Sequence, residues 1–225
     1  MHDKTFLITG ATSGIGKATA EAAAEDGYRL ILTGRREDAL NDLVSAIGAD
    51  RCVAVSADAT SLSDQARVVQ AGIEAFGDLH AVFANAGTGA STPGTETGDP
   101  AEWESMIGIN VMGLLYTAKL TLPHLRKTKG HFVVTASAAG RRWLKGSVYG
   151  ATKWFAYGLG QNLAMEMAEW GGRCTTICPG MVDTPFFDEP KPDKLKPEDV
   201  ADAVLYALRA DARNTVREVF LMPSY

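Results

Sequence analysis

Thr9-Gly10-Ala11-Thr12-Ser13-Gly14-Ile15-Gly16 lies between an apolar run, Thr5–Thr9, and a helical pattern that starts at Gly14. Glycines at this density permit a tight turn and let backbone N–H groups come close to an anion. The N-terminus of the helix that follows adds a favourable dipole. The spacing is G-x-x-x-G-x-G, not the commoner G-x-G-x-x-G. Alone, such a turn is weak evidence. Between a strand and a helix it reads as a pyrophosphate cradle made of Gly10, Thr12, Ser13, Gly14, Ile15 and Gly16.

Outward from this turn, short apolar runs alternate with helical periodicity along the chain. Strands are expected at Thr5–Thr9, Arg29–Thr33, Cys52–Ser56, Leu79–Ala84, His131–Ala136, Arg173–Cys178 and Glu218–Met222. Helices are expected at Gly14–Asp26, Glu37–Ile47, Leu62–Phe76, Ala101–Lys127, Val148–Trp170 and Glu198–Arg209, with Pro123 expected to bend or break the fourth. The strands read as continuous apolar runs, which predicts a parallel sheet covered on both faces. No internal repeat or linker divides the chain, so residues 1–225 are expected to form one α/β domain of the Rossmann-type, doubly wound class. Two long loops rich in breakers, Thr88–Pro100 and Asp183–Lys196, are either solvated connections or the rim of a pocket.

The composition is ordinary for a globular chain: 46% hydrophobic and 22% charged over 225 residues. A net charge of −5 argues against a nucleic-acid surface. The three cysteines, Cys52, Cys174 and Cys178, have no metal-site spacing, and reduced buried thiols in a cytoplasmic protein are expected. No charged leader or run of about 18 apolar residues is seen, so neither a signal peptide nor a membrane span is expected. His2, His80, His124 and His131 also lack metal-like spacing and are expected at the surface or at helix ends.

The end of the second strand speaks to the ligand's adenosine end. A NAD site usually has an acid about 20 residues after the glycine turn, on the ribose 2′-hydroxyl. Here the strand runs into Thr33-Gly34-Arg35-Arg36. Arginine forks match a phosphate, so Arg35 and Arg36 point to the 2′-phosphate of NADP(H). Other strands end on small or polar residues: Asp58-Ala59, Asn85-Ala86-Gly87, Ser137 and Pro179-Gly180. Each alone suits a turn. Together they lie along the sheet edge where doubly wound folds bind ligands.

Tyr149-Gly150-Ala151-Thr152-Lys153 sets a phenol and an ammonium four residues apart on one helical face. A free tyrosine titrates near 10 and is a poor acid or base at neutral pH. A neighbouring cation is expected to lower that value and make a usable proton donor. Ser137 is placed to hydrogen-bond the same carbonyl oxygen. The spacing is common by chance. Its position, opening a helix downstream of Ser137, gives it weight.

These pieces together resemble the short-chain dehydrogenase/reductase family over essentially the whole chain: the Thr9–Gly16 turn, Asp58, Asn85-Ala86-Gly87, Asn110, Ser137, Tyr149-x-x-x-Lys153 and Pro179-Gly180. The resemblance implies a seven-stranded parallel sheet and Tyr149 as proton donor. It implies that Lys153 lowers the Tyr149 pKa and holds the nicotinamide ribose, that Ser137 orients the carbonyl, and that Asn110 holds a water linking Lys153 to solvent. Asp58 and Ala59 are implied at the adenine and Asn85, Ala86 and Gly87 beside the adenosine. Pro179, Gly180, Val182 and Thr184 are implied along the rest of the cofactor, with Thr184 near the carboxamide. A homodimer or homotetramer built through the long helices is also implied.

The chain departs from the family pattern in places. Ala84 stands for the first Asn of the usual Asn-Asn-Ala-Gly, and Ser137 and Tyr149 are one residue closer than is typical. Ser147 is a weaker substitute for Ser137. The segment Thr184–Pro197 is short for a substrate lid. The tail resembles NADP-dependent 3-hydroxy acid dehydrogenases and related carbonyl reductases. Arg141 and Arg142 are either a carboxylate anchor or a solvated loop, and Trp143 is a candidate substrate contact. The expected activity is hydride transfer between NADP(H) and a small alcohol/carbonyl pair, a hydroxy acid or a ketone or aldehyde. A 3-oxoacyl thioester reductase and a non-catalytic NADP(H) sensor or scaffold are the rivals.

Overall fold

The computed structural model describes residues 3–90, 92 and 94–224. His2 lies outside them. Seven strands form one parallel sheet: β1 (Thr5–Thr9), β2 (Arg29–Gly34), β3 (Cys52–Ser56), β4 (Ala81–Ala84), β5 (His131–Thr135), β6 (Arg173–Pro179) and β7 (Glu218–Leu221). Their order is β3-β2-β1-β4-β5-β6-β7. The chain steps outward from β1 to β3, then crosses back to place β4 on the other side of β1. That reversal is the point where a doubly wound sheet opens a crevice beyond its strand ends.

Side chains of successive strand residues point to opposite faces, so each strand feeds two cores. Ile8, Leu30, Leu32, Phe83 and Val133 pack with α1 (Gly14–Glu25), α2 (Glu37–Ile47) and α7 (Pro197–Arg209). Leu7, Ile31, Val82, Phe132 and Val134 pack with α3 (Leu62–Phe76), α5 (Leu114–Thr128) and α6 (Val148–Ala168). Burial of each such side chain stabilises the fold by about 1.5–3 kcal/mol. All three cysteines are buried free thiols.

The fourth expected helix is two helices joined by a wider turn. α4 (Pro100–Ile107) passes through a π-helical segment, Gly108–Gly113, into α5. Pro123 does not break α5; it sits on its exposed face. There its missing N–H frees only the carbonyl of exposed Lys119. The irregularity falls instead beside buried Asn110, as π-bulges often do near functional positions. The stretch Pro100–Thr128 is long and apolar enough to cross a bilayer by length and composition. Here Leu114, Ala118 and Leu125 of that stretch belong to the core under the sheet.

His131 is not at the surface as expected. β5 lies between β4 and β6, so its first residue is already interior, and His131 is 2% exposed. Its Nε2 lies 2.7 Å from Thr175 Oγ1. His80 is also structural: its Nδ1 accepts from the Thr5 amide at 3.1 Å.

Candidate active site

The glycine turn sits at the C-terminal end of β1 and is tightly packed. Gly10 has φ +66°, and a Cβ there would lie 3.0 Å from Ala86 Cα. At Gly16 a Cβ would strike the Gly10 carbonyl oxygen. Asn85 braces the turn from β4: its Nδ2 donates to Thr9 O at 3.2 Å, and its amide donates to Thr9 Oγ1 at 3.0 Å. Helix α1 then starts with no side chain capping its amides and no acid in its first turn. Helices α2, α3, α4 and α7 all carry first-turn acids. Open amides without a competing carboxylate fit a bound pyrophosphate.

The crevice that opens here has a volume of about 1190 Å³, enough for a dinucleotide with a small substrate beside it. Every expected cofactor residue lines it except Gly16, which lies beneath the turn. Arg35 and Arg36 stand exposed at the end of β2. The Arg36 guanidinium donates to Thr12 O at 2.8 Å, so it also braces the turn. Asp58 lines the crevice next to Ala59 and closes a local turn, its Oδ1 accepting from the Thr60 amide and hydroxyl at 2.8 and 2.9 Å. Val182 is buried and pairs in a parallel bridge with Leu195, which ties together the two ends of the loop over the crevice.

At the other end Tyr149, Lys153 and Ser137 converge. Tyr149 and Lys153 lie in the first two turns of α6, which Ser147 caps by accepting from the Gly150 amide at 2.9 Å. That bond gives Ser147 a structural task. Ser137, just past β5, lines the crevice with Tyr149, and its side chain offsets part of the rise in the Tyr149 phenol. Its Oγ also accepts from the Ala139 amide at 3.1 Å and donates to Pro179 O at 3.4 Å.

Lys153 is 5% exposed, and its Nζ donates to Thr135 O at 3.0 Å. Burial pulls its ammonium down to about 8, with Cys178 acting the other way. The expected lowering of the Tyr149 phenol is reversed: burial raises it, and the Ser137 hydrogen bond offsets only part. The reason is geometric. Nζ lies 5.8 Å from the Tyr149 ring centroid and is directed at a carbonyl.

Asn110 is buried and has its amide engaged: Oδ1 accepts from the Thr88 amide at 2.9 Å, and Nδ2 donates to Thr88 O and Thr152 Oγ1 at 2.9 and 3.0 Å. It borders a cavity of about 10 Å³ shared with Lys153 and Thr135, about one water in size.

The family whose model matches residues 4–195 is described as short chain dehydrogenase. This chain belongs to that family. As a short-chain dehydrogenase it is 37% identical, over 228 residues, to an uncharacterized oxidoreductase of Staphylococcus aureus, covering 99% of this chain and 98% of that one. It is similar to the solved alcohol dehydrogenase of the archaeon Thermococcus sibiricus complexed with 5-hydroxy-NADP. The TM-score is 0.91 at 32% identity, over 99% of this chain and 97% of that one. A 3-ketoacyl-(acyl-carrier-protein) reductase from Brucella melitensis complexed with NADH gives 0.89 at 27%, over 97% and 96%.

Of the three substrate candidates between Ser137 and Tyr149 in this short-chain dehydrogenase, two do not line the crevice. Arg141 is no free anchor: it pairs with Glu218 on β7, its guanidinium 4.6 Å from the Tyr157 ring centroid. Trp143 is 90% exposed and stacks on Trp154 at 5.2 Å, outside the crevice. Arg142 does line the crevice, with its guanidinium 5.9 Å from the Phe220 ring centroid. The sequence reading missed Phe186, whose ring lies 5.5 Å from that of Tyr149. The adjacent aromatics Phe186-Phe187 inside a breaker-rich loop were the available signal.

Proposed function

We propose that this protein is an NADP(H)-dependent oxidoreductase acting on a small alcohol/carbonyl pair. The observation that carries the reading is the convergence of Tyr149, Ser137 and Lys153 at the end of a crevice whose far end holds the glycine turn and Arg35. A nicotinamide nucleotide held by the glycine turn and Arg35 would supply the hydride for the carbonyl carbon. The rest is the work of this chain's own side chains.

Tyr149 carries its proton at neutral pH as any phenol does, and burial, which raises it, makes it a weaker acid until charge develops on the carbonyl oxygen. Tyr149 therefore keeps its proton until the carbonyl oxygen gains negative charge, then donates it. Ser137 Oγ is positioned by the Ala139 amide, and its one proton would exchange the 3.4 Å bond to Pro179 O for the carbonyl oxygen. Lys153, anchored on Thr135 O, holds a positive charge beneath the crevice and beside the small cavity at Asn110. Arg35 supports the choice of NADP(H) because it stands exposed in the crevice wall just past β2, and the strand itself does not end on an acid.

The same reading includes a homodimer or homotetramer joined through the long helices, where Trp154, Phe155 and Met165 stand exposed on α6. Light scattering reports the oligomer directly. The function is tested by following nicotinamide absorbance as NADPH is offered a panel of ketones and aldehydes. Tyr149→Phe should lower kcat by about 10²–10⁴ while leaving NADPH affinity within a few-fold. Turnover that survives this substitution unchanged would refute the assignment.

A further inference from the structure

The loop between Val182 and Leu195 brings an aromatic surface to the catalytic tyrosine. Its ends are pinned: the Asp183 amide donates to Leu195 O at 2.7 Å, and the Leu195 amide donates to Met181 O at 3.1 Å. Asp183 Oδ1 accepts from the Lys191 amide at 2.7 Å, which draws the loop back on itself. This sets the Phe186 ring 5.5 Å from the Tyr149 ring at 54°. The tip of the Phe186 ring lies over Gly89, where a Cβ would come within 2.8 Å of its Cζ. Phe187 meets Phe186 edge-on at 5.2 Å.

Part of the crevice wall is apolar and exposed. Leu144 and Met181 are each 50% exposed and Phe186 is 44% exposed, all three lining the crevice. A ligand covering them gains free energy in proportion to the apolar area removed from water. A carboxylate brought against these apolar side chains would lose its water, and the buried cation of the crevice, Lys153, is directed at Thr135 O. Arg141, the cation nearest in sequence to Ser137, is committed to Glu218 and Tyr157. The crevice lining also carries the exposed cations Arg142 and Lys145 and the acids Glu102 and Asp188.

We propose that the substrate is an uncharged ketone or aldehyde bearing a flat apolar group, which packs against Phe186 while its carbonyl oxygen meets Tyr149 and Ser137. The inference rests on the oxidoreductase reading above and narrows it, setting hydroxy acids and keto acids aside. Phe186 is then the specificity-determining residue. Its ring faces an aryl or alkyl group on the side away from the catalytic hydroxyls.

The test compares NADPH-dependent reduction of acetophenone with that of acetoacetate, a small keto acid, in wild-type protein and in Phe186→Ala. NADPH affinity is measured in parallel by nucleotide fluorescence. The expected result is a kcat/KM at least about tenfold higher for the aryl ketone, falling about tenfold in Phe186→Ala at unchanged NADPH affinity. Acetoacetate reduced as well as the aryl ketone, or better, overturns the substrate inference while the oxidoreductase reading stands. An aryl-ketone kcat/KM untouched by Phe186→Ala overturns the role of Phe186. Failure of bound NADPH to reduce any carbonyl overturns both readings.

Discussion

Lys153 and Thr135 are joined by one hydrogen bond, from the buried ammonium to the Thr135 carbonyl oxygen at 3.0 Å. The same threonine sends its hydroxyl to Asn85 Oδ1 at 3.2 Å, and Asn85 in turn holds the glycine turn through Thr9 O. Thr135 thus joins the catalytic end of the crevice to its phosphate end. Thr135→Val keeps the carbonyl and loses the hydroxyl. A hydrogen bond of this kind contributes about 0.5–1.5 kcal/mol, so the KM for NADPH should rise roughly two- to tenfold with kcat changed less. Thr135→Ser should restore it. Equal losses in kcat and KM effects for both variants would show that the hydroxyl does not act through the turn.

The two arginines after β2 should separate in their effects. Arg35 has its side chain free to meet a 2′-phosphate, whereas Arg36 donates to Thr12 O within the turn. A hydrogen bond to a charged partner is worth about 1.5–3 kcal/mol. Arg35→Asp should therefore weaken NADPH at least about tenfold and leave NADH nearly unchanged. Arg36→Ala should weaken both nucleotides. Titrations with the two nucleotides measure this, and an unchanged preference in Arg35→Asp would remove the case for NADP(H).

Acid should destabilise the fold through His131. Thr175 Oγ1 donates to Val216 O at 2.5 Å, so it is left to accept from His131 Nε2 at 2.7 Å. Nδ1 then has no hydrogen-bond partner among the described residues. Burial, reinforced by Arg173, lowers the imidazole to about 3. The unfolded chain binds this proton below about 6.5 and the folded chain only below about 3, so stability falls with pH across that window. Between pH 7 and pH 4.5 the loss from this residue is about 3 kcal/mol. Denaturant midpoints at the two pH values should differ clearly less in His131→Val than in the wild type.

The Arg141–Glu218 pair should tie the Ser137–Tyr149 loop to the edge strand. Arg141 lies just past the Ala138–Gly140 turn, and Tyr157 Oη donates to Glu218 Oε2 at 3.2 Å on the same cluster. Arg141 and Glu218 are partly exposed, so the pair's contribution to stability is small, about 0–1 kcal/mol. Arg141→Ala should move the melting temperature by no more than a few degrees. A loss of carbonyl turnover larger than about tenfold in this variant would reinstate Arg141 as a substrate contact.

Much of the fold was legible because it depends on neighbours in sequence. β1, α2, β3 and α3 begin and end where periodicity and breakers place them. β4 begins at Ala81 instead of Leu79 because pairing with β1 starts opposite Phe6. The break expected at Pro123 appears as a π-segment beside Asn110. Proline's local cost is small on a solvent face, and the packing of Asn110 against Thr88 and Thr152 is not visible from spacing. Arg141 and Trp143 looked available because a sequence does not show what lies opposite. Glu218 is 77 residues away from Arg141 along the chain.

By itself the sequence determined the kind of protein: strand–turn–helix chemistry at Thr9–Gly16, the order of apolar runs, and a tyrosine and lysine one helical turn apart. These are local, set by backbone sterics and side-chain period. The tertiary structure alone decided which charges were free, which rings met, and how the tyrosine and lysine titrate. Burial and contact belong to segments far apart in the chain, and these set the Lys153 ammonium against Thr135, Arg141 against Glu218 and Phe186 against Tyr149.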